Sequence, residues 1–255
     1  MQPTCWAIEQ SEPPDETTRR MTELELDRGV SSGIRRDTIL VTVCTLLSRV
    51  TGFGRVVATA AVLGVGVLGD VYQTANMIPN LLFELVAGGV LQAVLVPSFV
   101  AARRDGGNEA LSDATQATAG VIVAGLALVA AVGMAISPLV ARVLVLSEPS
   151  LAVAREKLDV MVPMVLVFVP QLVSYGIATV TSAALNAKGR YVAAAVAPAV
   201  NNVIVIVACL VFRAMRGDEV ADLDLTVGQF AVIAGGTTIG VLAFSLTPAL
   251  ALNAA

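Results

Sequence analysis

The chain has 255 residues, of which 56% are hydrophobic and only 14% are charged, and its net charge is −4. Soluble domains contain about 25% charged residues, so this composition excludes an ordinary water-soluble protein. The acidic balance also excludes the basic surface of a nucleic-acid-binding protein. The chain has no histidine and its three cysteines form no CxxC pair. Zinc sites and histidine catalysis are therefore excluded, and no cofactor is expected.

Residues 1–34 are polar, and seven acidic residues fall within the first 27 positions. This segment has no apolar periodicity and lacks the short apolar core of a cleaved signal peptide. We therefore predict a disordered cytoplasmic tail over 1–34. A transmembrane domain is predicted to occupy 35–255.

Six long apolar blocks follow the tail, and polar or turn residues separate them. A helix needs about 20 apolar residues to cross the roughly 30 Å hydrocarbon layer. Because backbone groups in hydrocarbon must satisfy their own hydrogen bonds, we predict that the blocks are helices. The predicted fold class is all-α integral membrane, with six transmembrane helices at 38–64, 71–100, 115–146, 158–185, 191–213 and 227–250.

The basic residues outside these helices are unevenly distributed. With a cytoplasmic N-terminus, nine Lys and Arg residues lie on the inner side and five on the outer side. The positive-inside rule favours that orientation, although the ratio becomes six to five when the tail before Arg35 is left out. The chain ends directly after the sixth block, so we expect it to be a piece of a longer membrane protein.

Two arginines, Arg49 and Arg55, lie within the first predicted helix. A charge at the centre of a membrane helix costs about 2.5–3.5 kcal/mol and usually faces a cavity or a partner. The two side chains project about 120° apart on an ideal helix, but a bend at Gly52 and Gly54 could turn both toward one space. Guanidinium binds phosphate in a fork geometry, which favours an anion-accepting cavity. The alternative is that both snorkel to the interface or pair with acids of the second helix.

The second predicted helix begins at Asp70, where a carboxylate suits the positive helix end. Asn76, Asn80 and Glu84 recur on one face of this helix, and Pro79 removes a donor from its hydrogen-bond ladder. A polar stripe is costly against lipid, so it predicts either the lining of a wet cavity or hydrogen bonds between helices. Prolines in the fourth and fifth predicted helices are typical of transporters.

Several motifs resemble those of the MurJ/MviN family of lipid II flippases, within the MATE-like exporter superfamily. The likeness covers about 35–250, and its motifs are SR-x-x-GF-x-R at 48–55, the acid Asp70, PNLL at 79–82, QA-x-x-x-P at 92–97, LN-x-x-x-R at 185–190, AP at 197–198 and Asn202. Many relatives follow PNLL with arginines, whereas this chain has Phe83 and Glu84.

The resemblance implies one six-helix lobe of a two-lobe flippase that moves lipid II from the inner to the outer leaflet by alternating access. It implies a transporter of the bacterial plasma membrane and not an enzyme. Family arginines that hold the pyrophosphate match Arg49 and Arg55, and a functionally important acid matches Asp70. With the polar stripe, the predicted substrate-binding residues are Arg49, Arg55, Asp70, Asn76, Asn80 and Glu84.

The implied partners are lipid II or a related polyprenyl-pyrophosphate lipid, membrane lipids, a C-terminal lobe absent from this chain, and cell-wall synthesis proteins. Two alternatives remain: another polyprenyl-linked oligosaccharide or drug exporter of the superfamily, and a non-transporting scaffold in cell-wall assembly. A membrane enzyme acting on polyprenyl phosphates would need clustered acids. Asp70 and Glu84 lie about 21 Å apart along one helix, too far to share a metal ion.

Overall fold

A computed structural model of the chain describes residues 16–64, 66–87, 90–146, 148, 150–217 and 222–254. The chain divides into two units, Met1–Leu40 and Val41–Ala255. In the first unit the described backbone is helical from Glu16 onward, where the sequence predicts an irregular tail. The helix-favouring Glu, Leu, Met and Arg residues of this stretch explain the difference. Residues 1–15 lie outside the described part, so a tail there stays a prediction.

Helices make up nearly all of the second unit that the structure describes. In chain order they are α1 (Glu16–Leu63, which begins in the first unit), α2 (Val67–Ala87), α3 (Val90–Leu144), α4 (Leu151–Phe168), α5 (Gln171–Ala187), α6 (Val192–Arg216), α7 (Val227–Phe230), a π-helix (Ala231–Gly235) and α8 (Gly236–Asn253). The all-α membrane fold predicted from the sequence is confirmed.

Within the described ranges, five helical segments are long and apolar enough to cross a membrane. They are Thr38–Leu63, Ala93–Leu144, Leu151–Ala187, Val192–Arg216 and Val227–Asn253. The 52-residue segment Ala93–Leu144 contains a kink, because Gly106 and Gly107 are non-helical and Gly107 has a φ of +70°. A positive φ of this kind favours glycine. The part before the kink follows α2, and the part after it matches the third predicted helix. Counting these two parts separately gives six segments.

The boundaries of the second and third predicted helices differ from those observed. Residues 101–114 were predicted as a loop, but their backbone is helical on both sides of Gly106 and Gly107. Polar residues in a helix that projects beyond the hydrocarbon layer look like a loop in a hydropathy pattern, which accounts for the error. The second predicted helix, 71–100, is divided between α2 and α3, and residues 88 and 89 between them lie outside the described part.

The core of the second unit lies where α2, α4, α5, α6 and the π-helix meet. Helix α5 packs between α3 and α8, α6 packs on α8, and α2 packs on α4. The largest fully buried side chains of this core are Tyr72, Met164, Phe168, Leu172, Phe212 and Ile233. A second cluster, formed by Leu95, Phe99, Leu111 and Val180 with small neighbours, joins the two parts of α3 to α5.

Glycines allow close approach of several helices. A Cβ atom at Gly236 would lie 2.4 Å from Cβ of Ala208, so α6 and α8 pack with little space between their backbones. Helix α1 continues through Gly52 and Gly54, where a bend was considered. These glycines instead face α6, with Asn202 and Ile206 as their nearest neighbours. Small residues at helix contacts are typical of membrane proteins.

Arg103 of α3 reaches the far end of α5. Its Nη1 donates a hydrogen bond of 2.8 Å to the backbone carbonyl of Ala187, the last residue of α5. The last carbonyls of a helix have no partner within the helix, and a cation interacts favourably with that negative end. Arg103 therefore caps α5.

Gly236→Ala tests the close packing of α6 on α8. The added methyl group overlaps Ala208, which has no flexible side chain to move away, so we expect a loss of about 1–3 kcal/mol of unfolding free energy. The measurement is denaturant or thermal unfolding of the purified protein in detergent. Gly125→Ala is the matched control, because nothing lies within 4 Å of its added Cβ. Equal stability of the two variants would contradict the close contact.

Candidate functional site

Arg55 of α1 is the half-buried member of the two predicted arginines. Its half-buried guanidinium interacts electrostatically with Tyr72 of α2, Tyr175 of α5 and Cys209 of α6. Among the residues that the structure describes, no carboxylate forms an ion pair with Arg55. A guanidinium stays charged in proteins. Among the described residues, Arg55 is therefore a half-buried cation without a carboxylate partner.

Arg49 occupies a different side of the same helix. It is exposed, and on a continuous helix it projects about 120° away from Arg55 and lies about 9 Å further along the axis. The structure thus directs one of the two predicted arginines into the bundle and leaves the other on its surface.

Asn202 of α6 holds this part of α1 in place. Its side chain is buried, and Nδ2 donates hydrogen bonds of 3.3 Å to the carbonyl of Ser48 and 3.4 Å to Oγ1 of Thr51. Asn202 belongs to one of the motifs that carry the family resemblance. Its hydrogen bonds to α1 give the amide at this position a structural role. It fixes the turn of α1 between the two arginines.

Asp70 lies in the first turn of α2 and forms an ion pair with Lys157 of α4. The Lys157 ammonium is 3.0 Å from Oδ2 of Asp70 and 2.6 Å from Oε1 of Glu148. The lysine side chain is 9% exposed, whereas that of Asp70 is 61% exposed. Asp70 is therefore partnered by a lysine from another helix and not by either arginine. Lys157 joins the start of α2 to the segment between α3 and α4.

A cavity of about 300 Å³ opens between the end of α1 and the start of α2. It is lined by Thr59, Ala60, Leu63, Gly64, Gly69, Asp70 and Gln73. The hydroxyl of Thr59 donates to the carbonyl of Arg55 at 2.7 Å, so it is already used within α1. Asp70 and Gln73 are the residues of this lining that can offer polar side-chain atoms to a ligand.

The predicted polar stripe of α2 faces two environments. Asn76 is buried at 9% exposure, whereas Asn80 and Glu84 are exposed. Nδ2 of Asn80 donates to the carbonyl of Asn76 at 3.0 Å, close to the point where Pro79 leaves a helical carbonyl without its donor. Glu84 forms no ion pair among the described residues. The stripe thus runs from the core to an open surface.

Phe83, which follows the PNLL motif, forms an aromatic contact with α5. Its ring centroid is 5.6 Å from that of Tyr175, and Tyr175 is 6.3 Å from Phe244 of α8. These distances are typical of favourable aromatic pairs. Since Tyr175 also interacts electrostatically with the half-buried Arg55, the aromatic row lies near that cation.

A hydrogen bond also joins the break between α4 and α5 to the first turn of α8, which follows the π-helix. Pro170 lies in the break, and the buried Gln171 begins α5 and donates from Nε2 to Oγ1 of Thr238 at 2.8 Å. Thr237, the neighbouring residue, lies 2.8 Å from the hydroxyl of Tyr72. Both threonines lie in the first turn of α8, just after the π-helix ends at Gly235. Irregular helix segments often occur at functional sites.

Sequence reasoning missed Tyr72, Lys157, Thr237 and Thr238 as members of this site. Two consecutive threonines in an apolar helix are a visible hint of a polar contact. Lys157 was instead counted among the outer basic residues, and Tyr72 belongs to no motif. Only their partners in the folded chain reveal what they do.

The fold and the interior define the class of this chain. It is an all-α, multi-pass membrane protein whose bundle holds a cation, amides and hydroxyl groups. Ionisable residues within membrane segments are rare and mark substrate or ion pathways.

Comparison with known proteins identifies the family. A sequence model described as lipid II flippase MurJ matches residues 59–254. A probable lipid II flippase MurJ of Rhizobium tropici is 34% identical over 162 residues, 64% of this chain and 30% of that protein. The lipid II flippase MurJ of Burkholderia cenocepacia is 30% identical over 166 residues, 65% of this chain and 32% of that protein. A probable lipid II flippase MurJ of Vibrio cholerae is 28% identical over 205 residues, which are 79% of this chain and 39% of that protein.

The chain belongs to the MurJ family of lipid II flippases, which confirms the resemblance noted in its motifs. It spans about a third of the length of the curated relatives that it matches. The names of these relatives describe transporters and not enzymes. The family match begins at Thr59, so Arg49 and Arg55 precede it and their assignment depends on their place in the helix.

Lys157→Met tests the ion pairs at the start of α2. The substitution leaves Asp70 and Glu148 without their shared cation, and we expect a loss of about 1–3 kcal/mol of unfolding free energy in detergent. Arg155→Met is the control, since Arg155 is exposed on the same helix and forms no ion pair among the described residues. Equal effects of the two substitutions would show that Lys157 contributes no specific pairing.

Proposed function

We propose that the chain is one lobe of a lipid II flippase, which moves its substrate from the inner to the outer leaflet by alternating access. The observation that carries this proposal is Arg55, a half-buried cation in a membrane-spanning helix that forms no ion pair with a carboxylate among the described residues. Keeping an unneutralised charge there costs about 2.5–3.5 kcal/mol. Binding of an anionic substrate offsets that cost.

The pyrophosphate of a polyprenyl-linked lipid has the matching chemistry. Guanidinium binds phosphate oxygens through parallel N–H donors, and the family relatives are named for lipid II. Arg49, about 9 Å from Arg55 along the helix, supplies a second cation at the open surface. We assign Arg55 to the phosphate inside the bundle and Arg49 to its approach from the surface.

Helix α2 provides the polar wall of the proposed route. Asn80 and Glu84 are exposed on it, and Asn76 leads from them toward the core. Asp70 lines the 300 Å³ cavity at the beginning of the helix while Lys157 binds one of its oxygens. In this proposal the amides donate to headgroup oxygens, and the two acids accept from headgroup hydroxyl and amide groups.

The second lobe belongs to the proposal as a partner. The relatives extend well beyond the matched third of their length, and two lobes would enclose the polar face of α2 between them. Membrane lipids and proteins of cell-wall synthesis complete the expected partners. The proposed location is the bacterial plasma membrane, with the N-terminus in the cytoplasm, as the distribution of basic residues favours.

Arg55→Ala in the full-length protein should abolish complementation of a flippase-depleted strain while membrane levels stay normal. With the purified protein, binding of farnesyl pyrophosphate should weaken about tenfold or more, because hydrogen bonds to charged groups contribute about 1.5–3 kcal/mol. Farnesol, which lacks the phosphates, tests whether the loss concerns the anion. Arg142→Ala, at an exposed arginine in the last turn of α3, is the control. Normal growth and unchanged binding for Arg55→Ala would remove the phosphate assignment.

Single-cysteine labelling tests the orientation. In a variant with Cys5, Cys44 and Cys209 replaced by serine, we expect a membrane-impermeant maleimide to label Glu156→Cys in intact cells. Arg104→Cys should react only after the membrane is permeabilised. Both positions are exposed, so access depends on the side of the membrane. The reverse pattern would place the N-terminus outside.

A further inference from the structure

The cavity at the junction of α1 and α2 offers mostly hydrogen-bond acceptors to a ligand. It measures about 300 Å³, and among the described residues that line it Asp70 is the charged one. The Thr59 hydroxyl donates its single hydrogen to the carbonyl of Arg55 at 2.7 Å, so its lone pairs are what remains for a ligand. Gln73 is exposed and adds an amide, which contains both an acceptor and a donor.

Two carboxylates share one ammonium beside this cavity. Nζ of Lys157 lies 2.6 Å from Oε1 of Glu148 and 3.0 Å from Oδ2 of Asp70. The Glu148 side chain is 18% exposed, whereas that of Asp70 is 61% exposed. Two negative charges and one positive charge leave one negative charge in excess. Because Lys157 lies closer to the more buried carboxylate, this excess is greatest at Asp70, on the open side.

The cavity also lies close to Arg55 along α1. Thr59 follows Arg55 by four residues, which places it about 6 Å further along the axis and about 40° around it. No ion pair joins Arg55 to Asp70 in the part of the chain that the structure describes. A half-buried cation and an open carboxylate therefore occur near each other without neutralising each other. A ligand that carries both a phosphate and a cationic group matches this arrangement.

An ammonium group has the chemistry that this lining requires. It carries three N–H donors and no acceptor, and a charge-assisted hydrogen bond to a carboxylate is about twice as strong as a neutral one. A second phosphate placed here would instead meet the like charge of Asp70 and the lone pairs of Thr59. Ala60 and Leu63 give the cavity an apolar wall for the methylene group next to the ammonium.

We propose that this cavity is a subsite for a primary ammonium group on a lipid headgroup, with Asp70 as its counter-ion. The inference rests on the proposed function, which brings a headgroup to Arg55, and it names a second charged group on that headgroup. Lys157 holds Oδ2 of Asp70 and leaves Oδ1 for the ligand. The ammonium belongs either to the polyprenyl-linked headgroup or to an aminophospholipid of the membrane.

Protection of a cysteine in the lining tests this site in the purified full-length protein in detergent. Ala60→Cys is introduced at an exposed lining position after Cys5, Cys44 and Cys209 are replaced by serine. We expect octylammonium to slow its labelling by the neutral reagent N-ethylmaleimide, whereas octanol at the same concentration should not. Octyltrimethylammonium has the charge but no N–H donor, so it should protect less well. The concentration that halves the labelling rate gives the affinity.

Substitutions of Asp70 identify the counter-ion. Asp70→Asn keeps the shape of the side chain and should weaken octylammonium binding about tenfold, because hydrogen bonds between charged groups are lost. Asp70→Glu should retain binding because the carboxylate returns. Glu156→Gln is the matched control, since Glu156 is an exposed acid beside Lys157 that lines a different cavity. Its removal should change the affinity by less than about twofold, because solvent and salt screen distant exposed charges.

Two lipids distinguish the sources of the ammonium. The Ala60→Cys protein is placed in phosphatidylglycerol vesicles, and its labelling is measured after phosphatidylethanolamine or lipid II is added. Slower labelling with phosphatidylethanolamine assigns the site to an aminophospholipid. Slower labelling with lipid II, but not with lipid II whose free amines have been acetylated, assigns it to the transported headgroup. If neither lipid slows labelling, the assignment to a lipid headgroup is wrong.

The outcomes separate this subsite from the proposed phosphate site. Absence of protection by octylammonium, or equal protection in Asp70→Asn, overturns the ammonium subsite. Farnesyl pyrophosphate carries no amine, so Asp70→Asn should not weaken its binding. If Arg55→Ala still weakens farnesyl pyrophosphate binding when octylammonium gives no protection, the proposed function stands alone. If Arg55→Ala binds that probe normally while octylammonium protects, the phosphate site is wrong and the ammonium site stands without it.

Discussion

Arg55 is a half-buried cation in the helix bundle that has no carboxylate partner among the residues that the structure describes. The guanidinium of Arg55 interacts electrostatically with Tyr72, Tyr175 and Cys209, whereas the ammonium of the buried Lys157 is shared by two carboxylates. The contrast separates two uses of buried charge. A cation with carboxylate partners is a structural tie, and a cation without them is available to a ligand. The rest of the site is arranged around this difference.

Irregular helices bring the remaining polar groups to the same region. The break at Pro170 places Gln171 in the core, and the π-helix precedes the two threonines that bond to Gln171 and Tyr72. Regular α-helices present side chains at fixed intervals, so a break in one helix opposite a π-turn in another offers side-chain directions that straight helices lack. In a membrane such breaks persist where protein groups satisfy the freed backbone. The polar network and the irregular backbone therefore depend on each other.

The sequence was sufficient to predict the all-α membrane fold, because apolar length determines which segments can cross the bilayer. It also predicted that Arg49 and Arg55 lie in a membrane helix and face a cavity or a partner, but it did not distinguish the exposed Arg49 from the half-buried Arg55. It could not show that Asp70 binds Lys157, since these residues are 87 positions apart and no local pattern links them. The charged stretch around Arg103 was taken as a loop because hydropathy does not distinguish a solvated helix from an irregular connection. The π-helix was likewise invisible, because its backbone depends on contacts of the folded chain.

Arg103 shows how one basic residue serves two purposes. It is among the charges that set the predicted direction of insertion, and it also binds the final carbonyl of α5. Moving this charge to reverse the topology of the chain would at the same time uncap a helix that packs between α3 and α8. Engineered inversion of this segment would therefore also loosen the finished bundle. The same guanidinium therefore contributes both to the predicted direction of membrane insertion and to the stability of the folded bundle.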